Sequence, residues 1–218
     1  MVAASKNAWS PAPRIACLLL AAGMACPFAA HAGGGPFGID HKVAYDDSGI
    51  WDRNFQKTLA LGVGIATISG AVFVDNDSRM GRTWDQAFDS MVFAVGTSTV
   101  AKYVFSRARP SQTDDPNDFF QGSGHQSFPS GEVTEMAAVV TPFIAEYHQD
   151  HPAVWALALL PAYDAVARVK VQGHWQSDVL VGAAIGVGWG IWSHHRPTPI
   201  LLGAMPGHGV MLEYAKQF

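Results

Sequence analysis

Residues 168–178 read RVKVQGHWQSD. Gly173 breaks any helix that precedes it. A helix opening just after it puts His174 and Asp178, four residues apart, on one face. A carboxylate beside an imidazole fixes its tautomer and stabilises its charged form, so such a His serves as a general base or a nucleophile. Arg168 stands just before, where it can bind an oxyanion. Taken alone, the stretch fits a helix-cap pair as well as it fits catalysis. One His and one Asp are too few ligands for zinc.

Upstream, residues 127–132 read SFPSGE. Pro129 can open a helix, and Ser130 and Gly131 let the backbone approach an anion at the helix N-terminus. An ordinary helix start, with Ser130 as cap and Glu132 near the positive end, fits the same residues. Further back, residues 102–110 read KYVFSRARP. On a continuous helix Lys102 and Arg109 lie two turns apart, roughly 10 Å along one face. Arg107 falls off that line, and Pro110 places Arg109 near the helix end. Lys as a point charge and Arg as a bidentate fork suit an anionic ligand. A solvated basic helix end is the plainer alternative.

Helical blocks surround these motifs, at 58–74, 84–107, 133–147, 153–170 and 178–193. Residues 33–50 are rich in Gly and Asp and read as an irregular lead-in. The loop 111–127 carries Pro, Gly and acids without helical period. At the end, apolar runs flank a Pro206-Gly207-His208-Gly209 turn, the pattern of a β-hairpin over 197–218. Nothing repeats at a fixed period. The expected fold class is therefore all-α, a helical bundle over 51–196 with a C-terminal β-hairpin. Only the block 58–74, with 17 uncharged residues, approaches a bilayer span. Glu135 and Asp164 interrupt two of the others. The 49% hydrophobic content is ordinary for a soluble domain. These features favour a soluble or peripheral bundle and leave membrane association open.

Residues 1–32 have the form of an export signal. Lys6 and Arg14 come first, then an apolar stretch, then Ala30-His31-Ala32 as a small-x-small cleavage site. Cys17 and Cys26, the only cysteines, leave with it, which removes thiol chemistry and Cys metal sites. The remainder holds 12 basic and 18 acidic residues, a net charge of −6. That balance argues against nucleic acid as a partner. Any anionic substrate has to be held by a local basic cluster. The expected location is outside the cytoplasm, in the periplasm or associated with the envelope.

Taken together the three motifs are specific. Lys, six residues and Arg-Pro are followed by Pro-Ser-Gly, then by Arg, five residues, His, three residues and Asp. The motifs are separated by 19 residues (Pro110 to Pro129) and 37 residues (Gly131 to Arg168). This resembles the type 2 phosphatidic acid phosphatase superfamily, which includes bacterial class A acid phosphatases and vanadium haloperoxidases. The resemblance implies a metal-independent phosphatase acting on phosphate monoesters or diphosphates, of lipid or small molecules. It implies that His174 attacks phosphorus, forming a phosphohistidine, and that Asp178 orients it. Lys102, Arg109, Arg168, Ser130 and the Gly131 amide would hold the phosphoryl oxygens. No cofactor is implied.

Two positions depart from the family pattern. Ala167 replaces the usual Ser before the third-motif Arg. Glu132 replaces the second-motif His that protonates the leaving oxygen. Three accounts of Glu132 stand open: it is itself the general acid, His125 supplies the proton instead, or activity is impaired and the chain is a phosphoanion-binding envelope protein. A vanadate-dependent haloperoxidase is the alternative enzyme, with vanadate on His174.

Overall fold

The computed structural model describes residues 34–75 and 77–196, and the backbone of 200–205 and 209–214. The export-signal segment lies outside the described residues, as do 197–199, 206–208 and 215–218 of the hairpin region. Five α-helices form a bundle: α1 (Arg53–Phe73), α2 (Arg79–Phe105), α3 (Gly131–Tyr147), α4 (Leu159–Lys170) and α5 (Gln176–His194). The all-α expectation holds. Two antiparallel strands follow, β1 (Ile200–Met205) and β2 (Gly209–Tyr214), with Ile200 paired to Tyr214 and Met205 to Gly209.

The starts of α1 and α2 lie upstream of the apolar blocks, because polar caps decide them. The Asp52 carboxylate accepts the Phe55 amide at 2.9 Å, so α1 begins five residues before Thr58. Ser78 caps α2 by accepting the Gly81 amide at 2.9 Å. The block 153–170 is not one helix: a 3-10 segment, Pro152–Ala158, precedes α4.

α2 also stops early. Ser106 adopts a left-handed conformation (φ 36°) and ends the helix after Phe105. Lys102 therefore sits in its last turn, while Arg107 and Arg109 lie in the segment beyond. The two-turn helical face expected for Lys102 and Arg109 does not form.

α3 and α5 pack backbone to backbone. Gly182, Gly186 and Gly190 recur every fourth residue of α5 and face α3. A Cβ on Gly182 would lie 2.6 Å from the Ser130 carbonyl oxygen, and one on Gly186 2.3 Å from that of Thr134. Only glycine permits this approach. It matters because α3 begins at the Ser130-Gly131 turn and α5 follows His174. Small side chains are buried around them, among them Ala87 and Ala94 of α2 and Ala137 and Ala138 of α3.

Among the described residues, α1 alone is long and apolar enough to cross a membrane. Its outward stripe of Leu61, Ile65, Ile68 and Val72 is exposed, as are Val100 and Val104 on α2.

Candidate active site

His174 lies in the turn between α4 and α5, buried, with 4% of its surface exposed. Its Nδ1 is 2.6 Å from the Ser127 carbonyl oxygen. A carbonyl only accepts, so Nδ1 carries the proton and Nε2 keeps its lone pair. Burial, and then the charges of Arg168, Lys102 and Arg109, hold the imidazole well below its ordinary pKa. The ring is thus neutral.

Asp178 does not grip His174 directly. Since α5 begins at Gln176, the two do not share a helix face, and the carboxylate stands 3.6 Å from Nδ1. It acts through Ser127, whose Oγ donates to Asp178 Oδ2 at 2.5 Å while its carbonyl holds the imidazole. The Trp175 amide donates to the same oxygen at 2.9 Å, and Arg107 Nη1 to the other at 2.5 Å.

Three expected cations converge beside His174. Lys102 Nζ donates to the Gln126 carbonyl at 3.0 Å and to that of Pro129 at 2.6 Å. Arg109 Nη2 also donates to the Gln126 carbonyl, at 3.4 Å, and its Nη1 donates to the Gly173 carbonyl at 3.0 Å. The shared carbonyl of Gln126 achieves what a common helix face was expected to do. Arg168 comes from the last turn of α4; burial lowers its pKa to about 10, well above neutrality. Gly173 makes room for its guanidinium, since a Cβ there would lie 2.5 Å from Nη2.

The Ser130-Gly131 turn completes the cradle. Ser130 does not cap α3 with its side chain. Its amide donates to the Asp178 carbonyl at 3.0 Å, and its buried Oγ has no hydrogen-bond partner. A Cβ on Gly131 would lie 3.4 Å from Lys102 Cε, so the turn abuts the lysine. The Arg168 Nε is likewise buried and without a hydrogen bond. An unpartnered hydroxyl and an unpartnered N–H beside buried cations are apt for an anion's oxygens.

Glu132 is locked in a fork with Arg53, from the first turn of α1. Arg53 Nη1 donates to Glu132 Oε2 at 2.6 Å and Nη2 donates to Oε1. Arg168 Nε lies 3.8 Å from Oε2. Burial alone would raise the Glu132 pKa, but Arg53 and Arg168 outweigh it and carry it below the ordinary value. Gln56, fully buried one turn along α1, ties the two arginines together. Its Oε1 accepts from Arg53 at 3.2 Å and from Arg168 at 3.3 Å. His125 sits in the neighbouring loop, its buried Nδ1 without a partner.

Four residues escape a reading of the motifs: Arg53, Gln56, Arg107 and Asp40. Arg107 is fully buried, pairs with Asp178 and Asp40, and lies over the rings of Phe119 and Trp175. Asp40 comes from the Gly-rich lead-in and also accepts the Ser177 amide at 2.7 Å. One signal did exist in the sequence. An acid in a cationic pocket implies a dedicated cation, and Arg53 stands just before the apolar block 58–74. Among the described residues, no group of three or more His, Asp or Glu is arranged to hold a metal ion.

The PAP2 superfamily profile matches residues 86–200. A lipid A 1-phosphatase of Porphyromonas gingivalis is 32% identical over 100 residues, covering 44% of this chain and 20% of the relative. A lipid A 1-phosphatase of Rhizobium etli is 34% identical over 107 residues, covering 47% of this chain and 44% of the relative. The matched region thus spans less than half the length of either relative. No solved structure matches the chain.

Proposed function

We propose that this chain, which belongs to the PAP2 superfamily, is a metal-independent phosphatase that forms a phosphohistidine on His174. One observation carries the reading. A neutral imidazole, protonated on Nδ1, presents the Nε2 lone pair inside a cluster of Lys102, Arg109 and Arg168.

In the first step Nε2 forms the N–P bond while the P–O bond to the leaving group breaks. Lys102, Arg109, Arg168, the Ser130 hydroxyl and the Gly131 amide bind the phosphoryl oxygens and offset the charge that builds on them. The ring becomes cationic as it is phosphorylated. Asp178, 3.6 Å from Nδ1, offsets that charge, and Ser127 fixes the ring between them. Water then cleaves the N–P bond, releasing inorganic phosphate and restoring His174. Glu132 is held ionised by Arg53 and has no proton to give, so we assign it a positioning role and not that of the acid.

The substrates are phosphate monoesters or diphosphates, with a lipid-linked phosphate favoured. The names of the relatives support a lipid substrate. So does the exposed apolar stripe on α1, which suits a membrane surface. An exported, envelope-associated location accords with the signal-like sequence of residues 1–32.

The test is phosphate release from a lipid phosphate, a lipid diphosphate and p-nitrophenyl phosphate, from acid to alkaline pH. The wild type should turn over at least one of them. His174→Ala should abolish release while leaving the circular dichroism spectrum unchanged. Undiminished turnover in that variant would end this mechanism.

A further inference from the structure

The leaving oxygen needs stabilisation from a group other than the ionised Glu132. Arg53 is the cation closest to that carboxylate, and it is more exposed than Arg168. The side chains of Arg53 and Glu132 are 26% and 24% exposed, against 4% for Arg168 and for His174. The fork therefore lies nearer the mouth of the site than Arg168 and His174 do. A phosphoryl group attacked by the buried His174 and held by Arg168 has its leaving group pointing to the mouth, since the nucleophile and leaving oxygen stand in line.

Arg53 is also held in place. Its guanidinium gives three of its five N–H donors to Glu132 and Gln56. Two donors remain. Gln56 is fully buried, so the anchor is stiff. Arg53 faces the Arg109 and Arg168 charges, and it belongs electrostatically to the same cluster. Its pKa is nonetheless raised: burial opposes the charge, but the hydrogen bonds and charge of Glu132 more than offset this.

We propose that Arg53, oriented by Glu132 and Gln56, is the catalytic residue for the leaving group, neutralising the departing oxygen as an anion without giving it a proton. The inference rests on the phosphatase reading and deepens it. As the P–O bond breaks, its electron pair stays on the leaving oxygen, which departs as an anion against the guanidinium. Water supplies its proton afterwards. Such a site favours leaving groups that are weak bases and carry charge. A phosphoanhydride, which releases a phosphate, fits better than an alkyl ester, which releases an alkoxide. Glu132 and Gln56 are positioning residues in this scheme.

The experiment compares Arg53→Gln with wild type across a series of leaving groups: p-nitrophenyl phosphate, an alkyl phosphate and an alkyl diphosphate. The phenolate spreads its charge and needs the guanidinium least. Wild type should prefer the diphosphate to the alkyl monoester. Arg53→Gln should lose less than about tenfold in kcat/KM on the nitrophenyl ester and about 100-fold on the other two. Arg53→Lys preserves the charge at the α1 N-terminus and guards against misfolding. It should show the same unequal loss, reduced in size, because one ammonium cannot hold Glu132 and the leaving oxygen in the same fork geometry. Equal loss on all three substrates, with turnover still dependent on His174, would assign Arg53 a structural role and overturn the proposal alone. Absence of His174-dependent turnover in the wild type would overturn both the proposal and the phosphatase reading.

Discussion

Replacing Gly186 by Ala tests how the site is held together. The added methyl would lie 2.3 Å from the Thr134 carbonyl oxygen, 2.7 Å from Ala137 Cβ and 2.8 Å from the Ala138 amide nitrogen. None of these is the free end of a side chain. Relief requires α5 to move about 1 Å away from α3, to reach ordinary contact distance. Overpacking of this kind costs about 1–3 kcal/mol, and rigid backbone partners favour the upper end. Ala gains about 1 kcal/mol over Gly in a helix. The net loss is then about 2 kcal/mol, or about 4–8 °C in Tm for a domain of this size. Gly188 is the control, because a Cβ there meets nothing within 4 Å. Gly188→Ala should raise Tm by a few degrees, about 2–4 °C. Thermal melts followed by circular dichroism measure both. Activity should fall in Gly186→Ala below its midpoint, since the same helices carry Ser130 and follow His174. If Gly186→Ala is as stable as Gly188→Ala, close α3–α5 packing does not hold the cradle.

Two further predictions concern protons. Burial, then the charge of Arg109, pushes Lys102 down to about 8. In the proposed mechanism its charged form binds phosphate, so kcat/KM should hold below that pH and fall about tenfold per unit above it. Lys102→Arg should remove the alkaline limb, and a limb that stays at the same pH belongs to another group. Asp164 is fully buried with neither oxygen hydrogen-bonded, and burial raises its pKa from 3.8 to about 7. Its folded-state pKa exceeds the unfolded one. The stability from the protonated form is therefore full below the unfolded value and is lost as pH rises to about 7. The difference is about 4 kcal/mol at most. Asp164→Asn cannot ionise, so urea unfolding at acidic and neutral pH should show a smaller pH dependence than wild type. Parallel pH profiles would count against this assignment.

The bundle was legible because apolar blocks of helical length alternate with Gly- and Pro-rich loops. The helix boundaries were less legible, since single polar atoms set them. Asp52 and Ser78 move two starts upstream, and the left-handed Ser106 takes Arg109 off α2. The residues proposed to hold the phosphate were readable in the sequence, but the contacts among them were not. Lys102 and Arg109 converge on the Gln126 carbonyl, which no spacing rule anticipates. The supporting shell was hidden for a plainer reason. Asp40 and Ser177 meet across 137 residues, and Arg53 and Glu132 across 79. Sequence periodicity reports local neighbours, while these pairs are made by the way the helices assemble.

The central claim is that His174 Nε2 becomes covalently phosphorylated during turnover. Rapid alkaline quenching preserves phosphohistidine, and peptide mass spectrometry locates it. The account predicts one phosphoryl group on His174 in the wild type during turnover and none in His174→Ala. Robust phosphate release with no label on His174 at any quench time, or label on another residue, would contradict it.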